Sequence, residues 1–123
     1  MIKNFLAVAL GGALGAMLRY GTTLLGIHLN WSSSLSTFLV NIIGSFVMGC
    51  IVSMYEQGTW MLIASVGLCG GFTTFSTFSV QTATLLQEGK WGIAALYSLG
   101  TLIVCIIMAF AGCYLGHKLK MFF

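Results

Sequence analysis

Gly67-Leu68-Cys69-Gly70-Gly71-Phe72-Thr73-Thr74-Phe75-Ser76-Thr77-Phe78-Ser79 stands in the middle of an apolar segment running over about residues 59–86. Its two adjacent glycines free the backbone, and the Ser and Thr behind them can bond the carbonyls or amides that a break would release. A helix broken at membrane depth is where transport proteins build ion sites, because exposed carbonyls suit cations and exposed amides suit anions. Phe75 and Phe78 are three apart and share a helix face. The positive edge of a phenyl ring can favour an anion without offering it a fixed charge. Aromatic core packing is the alternative for that pair; the hydroxyls beside it favour a pore.

Three more apolar segments accompany this one, over about residues 4–27, 35–54 and 91–115. Each supplies the roughly 20 mostly apolar residues that a transmembrane helix needs. Apolar residues make up 59% of the 123, only 6% are charged, and proline is absent. A soluble domain carries about 25% charged residues, so this chain has too little charge to cover a water-facing surface. The runs are continuous and not alternating, which favours helices over barrel strands. The expected fold is an all-α integral membrane protein: one four-helix membrane domain over residues 1–123, the third helix broken mid-membrane. Lys3 and the apolar run after it look like a signal peptide, but Arg19 interrupts them and three spans follow, so a retained first helix is expected. Trp31, Tyr55, Trp60 and Trp91 fall at segment ends, the headgroup level where aromatic residues settle.

The net charge of +3 comes from Lys3, Arg19, Lys90, Lys118 and Lys120 against Glu56 and Glu88. These charges are scattered, which argues against a nucleic-acid patch or a polybasic lipid-binding segment. Four spans put Lys3, Lys118 and Lys120 on one side and Lys90 on the other, joined by Arg19 if it snorkels that way. So weak a bias permits insertion both ways up, and with it an antiparallel homodimer. Cys50, Cys69, Cys105 and Cys113 lie singly in apolar stretches and read as small packing residues. His28 and His117 sit near segment ends and read as interfacial. Gly11 and Gly15, Gly67 and Gly71, and Gly112 and Gly116 are each four apart, giving small-residue faces on which helices can approach closely.

Buried polarity carries the functional information. An ionised residue at mid-bilayer costs about 2.5–3.5 kcal/mol on insertion scales. No Asp or Glu falls inside any span. Proton-coupled exporters of this size need such a carboxylate, so the composition counts against a small transporter of the multidrug type. A non-conducting accessory membrane protein is the other alternative. Arg19 has two readings: packing against carbonyls at a helix end, or drawing an anion into a vestibule. Thr37, Asn41, Ser45 and Gly49 recur every four residues as one polar stripe on the second helix. Asn41 is its costly member, and interhelical hydrogen bonding and a donor to a passing anion stand equally for it. Tyr97 and Thr101, four apart on the fourth helix, are by themselves ordinary interhelical partners.

Over nearly its full length the chain resembles the Fluc (CrcB) fluoride channels. The matching pieces are Gly-Gly-Ala-Leu-Gly-Ala-Met-Leu-Arg-Tyr at 11–20, Val-Asn-Ile-Ile-Gly-Ser-Phe-Val-Met-Gly at 40–49 and Gly-Gly-Phe-Thr-Thr-Phe-Ser-Thr-Phe at 70–78. The resemblance implies an antiparallel dual-topology homodimer in the plasma (inner) membrane, with two pores, each lined by both subunits. It implies passive, selective export of fluoride that enters the cell as HF. By residue matching, Phe75 and Phe78 would be the pore phenylalanines, Asn41 an amide donor near them, and Tyr97 and Thr101 contributors from the fourth helix. A structural sodium ion would sit at the break, on the dimer axis, held by the carbonyls of Gly70 and Thr73 from both subunits. Arg19 matches the family's arginine near the vestibule. Two positions depart from the family pattern: Ser36-Thr37 stands where relatives commonly show Gly-Thr, and Gln81 where many carry a glutamate. The first bears on packing near the dimer contact, the second removes a charge near a pore entrance. Rate or gating is therefore expected to differ before selectivity does.

Overall fold

The computed structural model describes residues 1–54 and 62–122. The expectations for Tyr55, Glu56 and Trp60 lie outside the described residues. The helices are α1 (Ile2–His28), α2 (Ser33–Met54), α3 (Ile63–Cys69, continued by Gly70–Phe72), α4 (Ser76–Gln87) and α5 (Trp91–Phe122). Among the described residues, four stretches are long and apolar enough to cross a membrane: Ile2–His28, Ser33–Met54, Ile63–Gln87 and Trp91–Phe122, the third made of α3 and α4 together. The chain is therefore an all-α, multi-pass membrane protein.

Local chemistry sets the helix ends. After α1, Asn30 takes a positive φ of 62°, with the Trp31 N–H bonding Gly26 O and the Asn30 N–H bonding Ile27 O. After α4, Gly89 takes φ 78°, with the Lys90 N–H on Leu85 O and the Gly89 N–H on Leu86 O. Both are left-handed stops that satisfy the last carbonyls, formed by the two residue types that adopt this conformation most readily. Ser32 Oγ accepts the Leu35 N–H at 3.1 Å and caps the start of α2. The hydroxyls of Thr22, Thr23, Ser79, Thr82 and Thr84 donate to carbonyls four residues back, which removes their cost in an apolar setting.

The end of the last helix needs correcting. Expected near residue 115, α5 runs on to Phe122 and carries His117, Lys118 and Lys120 as helical residues. Gly116 does not stop it, because that residue lies against the α2 backbone at Cys50. The lysines beyond are good helix formers and suit the negative end of the helix dipole. The 32 residues span about 48 Å at 1.5 Å each, well beyond a hydrocarbon core of about 30 Å.

Glycine faces decide the packing. The main pairings are α2 with α5, and α1 with α3. On α5, a side chain at Gly112 would strike Phe46 O and one at Gly116 would strike Cys50 O, while one at Gly49 of α2 would strike Ala109 O. On α1, Gly11 faces Ile63 O and Gly67, and Gly15 faces Leu68 O and the Phe72 N–H. The opposing Gly67 and Gly71 leave no room for a Cβ against Gly11 and Gly12. Backbone thus meets backbone along both seams, the contact by which helices associate where lipid supplies no hydrophobic drive. Ile63–Cys69 has the wide π-helical repeat, the Gly70 N–H reaching back five residues to Ser65 O.

Candidate functional site

Between α3 and α4 the chain leaves helical geometry. Thr73 is extended, with φ −83° and ψ 158°, and Ser76 opens the next helix. The freed backbone groups find side-chain partners. The Thr74 N–H, four residues beyond Gly70, bonds Asn41 Oδ1 at 2.9 Å, and Asn41 Nδ2 returns a bond to the Thr74 carbonyl at 3.1 Å. The Thr77 N–H, four beyond Thr73, bonds Thr74 Oγ1 at 3.3 Å. Arg19 Nε donates to Gly71 O at 3.2 Å. The carbonyls of Gly70 and Thr73 are thereby deprived of the amide donors an unbroken helix would give them.

Gly44 makes this approach possible, since a Cβ there would overlap the Thr73 methyl. Thr73 Oγ1 turns back to Cys69 O at 3.0 Å. For Asn41, the structure displays the interhelical bonding, and one of its two amide protons remains free of Thr74. For Arg19 it displays the packing against a helix-end carbonyl.

The interruption opens onto a cleft of about 1000 Å³ between α2, α3, α4 and α5. Asn41 and Ser45 of α2 line it, as do Gly70 and Thr73 at the interruption. So do Phe75 and Phe78, whose ring centroids are 5.7 Å apart, and Thr101 of α5. Phe75 is 78% exposed in the single chain. Thr101 is only 6% exposed, and its hydroxyl has no partner among the described residues, unlike the back-bonded hydroxyls of α1 and α4. Tyr97 stands behind this wall: its ring lies 5.2 Å from that of Phe78, and its hydroxyl donates to Gln81 Oε1 at 2.8 Å. Arg19 and Thr37 lie apart from the cleft, in a smaller cavity of about 90 Å³ lined also by Ser36, Thr74 and Thr77. Thr74 borders both spaces.

The family model for "CrcB-like protein, Camphor Resistance (CrcB)" matches residues 6–113, which takes in most of α1 and α5, all of α2 to α4, and every one of these groups. The chain belongs to the CrcB family. Within that family it is 42% identical to a "Fluoride-specific ion channel FluC" of Thermus thermophilus, covering 96% of this chain and 97% of the relative. A protein of the same name from Shewanella amazonensis is also 42% identical over 96% of both chains. The "Fluoride-specific ion channel FluC 1" of Listeria monocytogenes is 41% identical over 94% of this chain and 99% of its own.

Two participants in this CrcB-family site escaped the sequence reading. Gly44 was legible in principle, standing three residues from Asn41 on one helix face. The bond between Gln81 and Tyr97 was not, since nothing local pairs positions sixteen apart on different helices.

Proposed function

We propose that the protein is a fluoride-selective channel of the plasma membrane, a conductor and not an enzyme, through which cytoplasmic fluoride leaves passively. Relatives alike over almost the whole chain bear that name, and the observation that carries the reading here is the wall of the cleft. It sets an unpartnered buried hydroxyl (Thr101), two phenyl rings (Phe75, Phe78) and an amide with one proton to offer (Asn41) around one space, with no fixed charge among them. Fluoride gives up strong hydration. Weak donors and ring edges can replace that hydration at several points without holding the ion too long, whereas a fixed cation at mid-path would slow its release.

The working unit of the proposal is an antiparallel dual-topology homodimer with two pores. Support comes from the openness of the cleft and the exposure of Phe75: a second copy would complete the wall that one chain leaves open. The break between α3 and α4 would lie mid-membrane at the dimer axis. The Gly70 and Thr73 carbonyls fit a sodium ion there, being hard oxygen ligands without their helical donors, on two residues that line the cleft. Such an ion would sit on the dimer axis, beside the two paths and not in them, and would pin the break. Tyr97 contributes through Phe78, Ser45 continues the polar side of the path, and Arg19 and Thr37 flank an approach to it.

The test is fluoride release from potassium-loaded liposomes on addition of valinomycin, with chloride as the control. Rapid fluoride release without chloride release, lost in Phe75→Ile or Phe78→Ile, is expected. Well-folded protein that releases no fluoride would refute the reading and favour an accessory role.

A further inference from the structure

We propose that the outward face of α5 ends in a binding site for the headgroup of an anionic phospholipid, with the Lys118 ammonium, held over the Tyr114 ring, as its cation. Leu96, Ile103, Ile107, Phe110, Tyr114 and Lys118 follow one another at helical spacings and share one face of α5. All six are exposed. The face lies across the helix from Gly112 and Gly116, which pack on α2, and away from Thr101, Cys105 and Ala109, which line the cleft. A second copy that closed the cleft would leave it bare. Its large side chains also keep another helix from the close approach that the glycine seams allow, so lipid covers it.

Depth and charge identify the lipid. Tyr114 stands about 35 Å along the helix from Trp91, a little more than the roughly 30 Å of a hydrocarbon core, so each ring falls at one headgroup level. Side chains on a helix lean toward its N-terminus. Lys118, one turn beyond Tyr114, accordingly reaches back, and its Nζ lies 4.8 Å from the centre of that ring. A lysine at a helix end ordinarily extends toward water. This one is drawn back to the level of the tyrosine, where the anions at hand are lipid phosphates. The negative face of the ring holds the ammonium in place without neutralising it, which leaves its charge to a phosphate above it. The acyl chains would lie along Phe110, Ile107 and Ile103. The dipole of α5 is negative at this end and repels an anion, so attraction at this face rests on Lys118. Such a site is one cation fixed at one depth, unlike the polybasic segment that the scattered charges argue against.

The inference needs only the membrane fold and is tested without reference to conduction. The experiment is the melting temperature of the full chain in a neutral detergent, at fixed sodium and ionic strength, titrated with phosphatidylglycerol, phosphatidylcholine of the same acyl chains, or inorganic phosphate. Phosphatidylglycerol should raise the melting temperature with saturation, and the other two should leave it nearly unchanged. Lys118→Gln should weaken the apparent affinity for phosphatidylglycerol about fivefold, the weight of one basic residue at a membrane surface. Tyr114→Leu, which releases the ammonium, should weaken it in the same direction, whereas Tyr114→Phe and Lys118→Arg should match the parent. Lys120→Gln removes the same charge from another side of α5 and should have less than half the effect of Lys118→Gln. An equal rise with phosphatidylcholine would assign the face to bulk lipid and overturn the proposal. So would an equal rise with inorganic phosphate, which would make the ligand a soluble anion. Equal losses in Lys118→Gln and Lys120→Gln, or Tyr114→Leu at the parent's affinity, would overturn it as well. Should Tyr114→Leu fail to fold, the comparison of Lys118→Gln with Lys120→Gln, both at exposed positions, decides.

Discussion

Asn41 and Thr74 exchange two hydrogen bonds, 3.1 Å from Nδ2 to the Thr74 carbonyl and 2.9 Å from the Thr74 N–H to Oδ1. One side chain of α2 thus stands in for the backbone partners that α3 and α4 lose where they part. The arrangement resolves an ambiguity in the stripe of Thr37, Asn41, Ser45 and Gly49. Asn41 is tied to the neighbouring segment, and what it can offer an ion is its remaining amide proton.

Replacing Asn41 should therefore damage fold and conduction together. Asn41→Leu leaves a half-buried N–H and carbonyl unmatched, a loss of about 1–3 kcal/mol. Asn41→Asp keeps the acceptor for the Thr74 N–H but brings a negative charge to the path. It should be the better folded of the two by thermal melting, yet as poor in fluoride efflux.

Thr101 predicts the opposite dissociation. Its hydroxyl is buried and without a partner among the described residues, so Thr101→Val removes a cost and almost no volume. Stability should stay level or rise by up to about 1 kcal/mol, while fluoride efflux falls several-fold because a donor has left the wall. Unchanged efflux in a folded Thr101→Val protein would remove Thr101 from the path.

Much of this was legible in the sequence, for physical reasons that differ by feature. The four spans follow from hydropathy and length. The glycine pairs follow from helical periodicity, which put Gly11 with Gly15 and Gly67 with Gly71 on single faces but could not say that these two faces meet. The family resemblance selected the residues of the cleft. What stayed hidden depends on distance across helices: the Gln81–Tyr97 bond, the engagement of Arg19 with Gly71 O, and the room Gly44 leaves for Thr73. The π-helical repeat of Ile63–Cys69 has no side-chain signature. The run of α5 past residue 115 is hidden because His117, Lys118 and Lys120 end the apolar run, although they suit a helix end.

The glycines of α1 offer a matched pair. A Cβ at Gly15 would collide with Leu68 O and the Phe72 N–H, whereas one at Gly12 meets nothing within 4 Å. Gly15→Ala should destabilise by about 1–3 kcal/mol through overpacking. Gly12→Ala should be neutral or stabilising by up to about 1 kcal/mol from helix propensity alone. Melting temperatures of the two variants in the same detergent check this. Equal effects would mean that the α1–α3 seam is looser than drawn.

The Gly70 and Thr73 carbonyls give the sodium proposal a test independent of flux. An ion that binds only the folded protein stabilises it by about 2.7 kcal/mol at a hundred times its dissociation constant. Protein prepared throughout in a bulky organic cation should therefore melt lower, and titration with sodium should raise the melting temperature with saturation. Asn41→Leu removes the anchor that holds Thr74 at the break, so the same titration should give that variant a smaller rise. If the sodium-free protein melts where the sodium-bathed one does and conducts at full rate, the Asn41–Thr74 pair holds the break unaided and no ion is needed there.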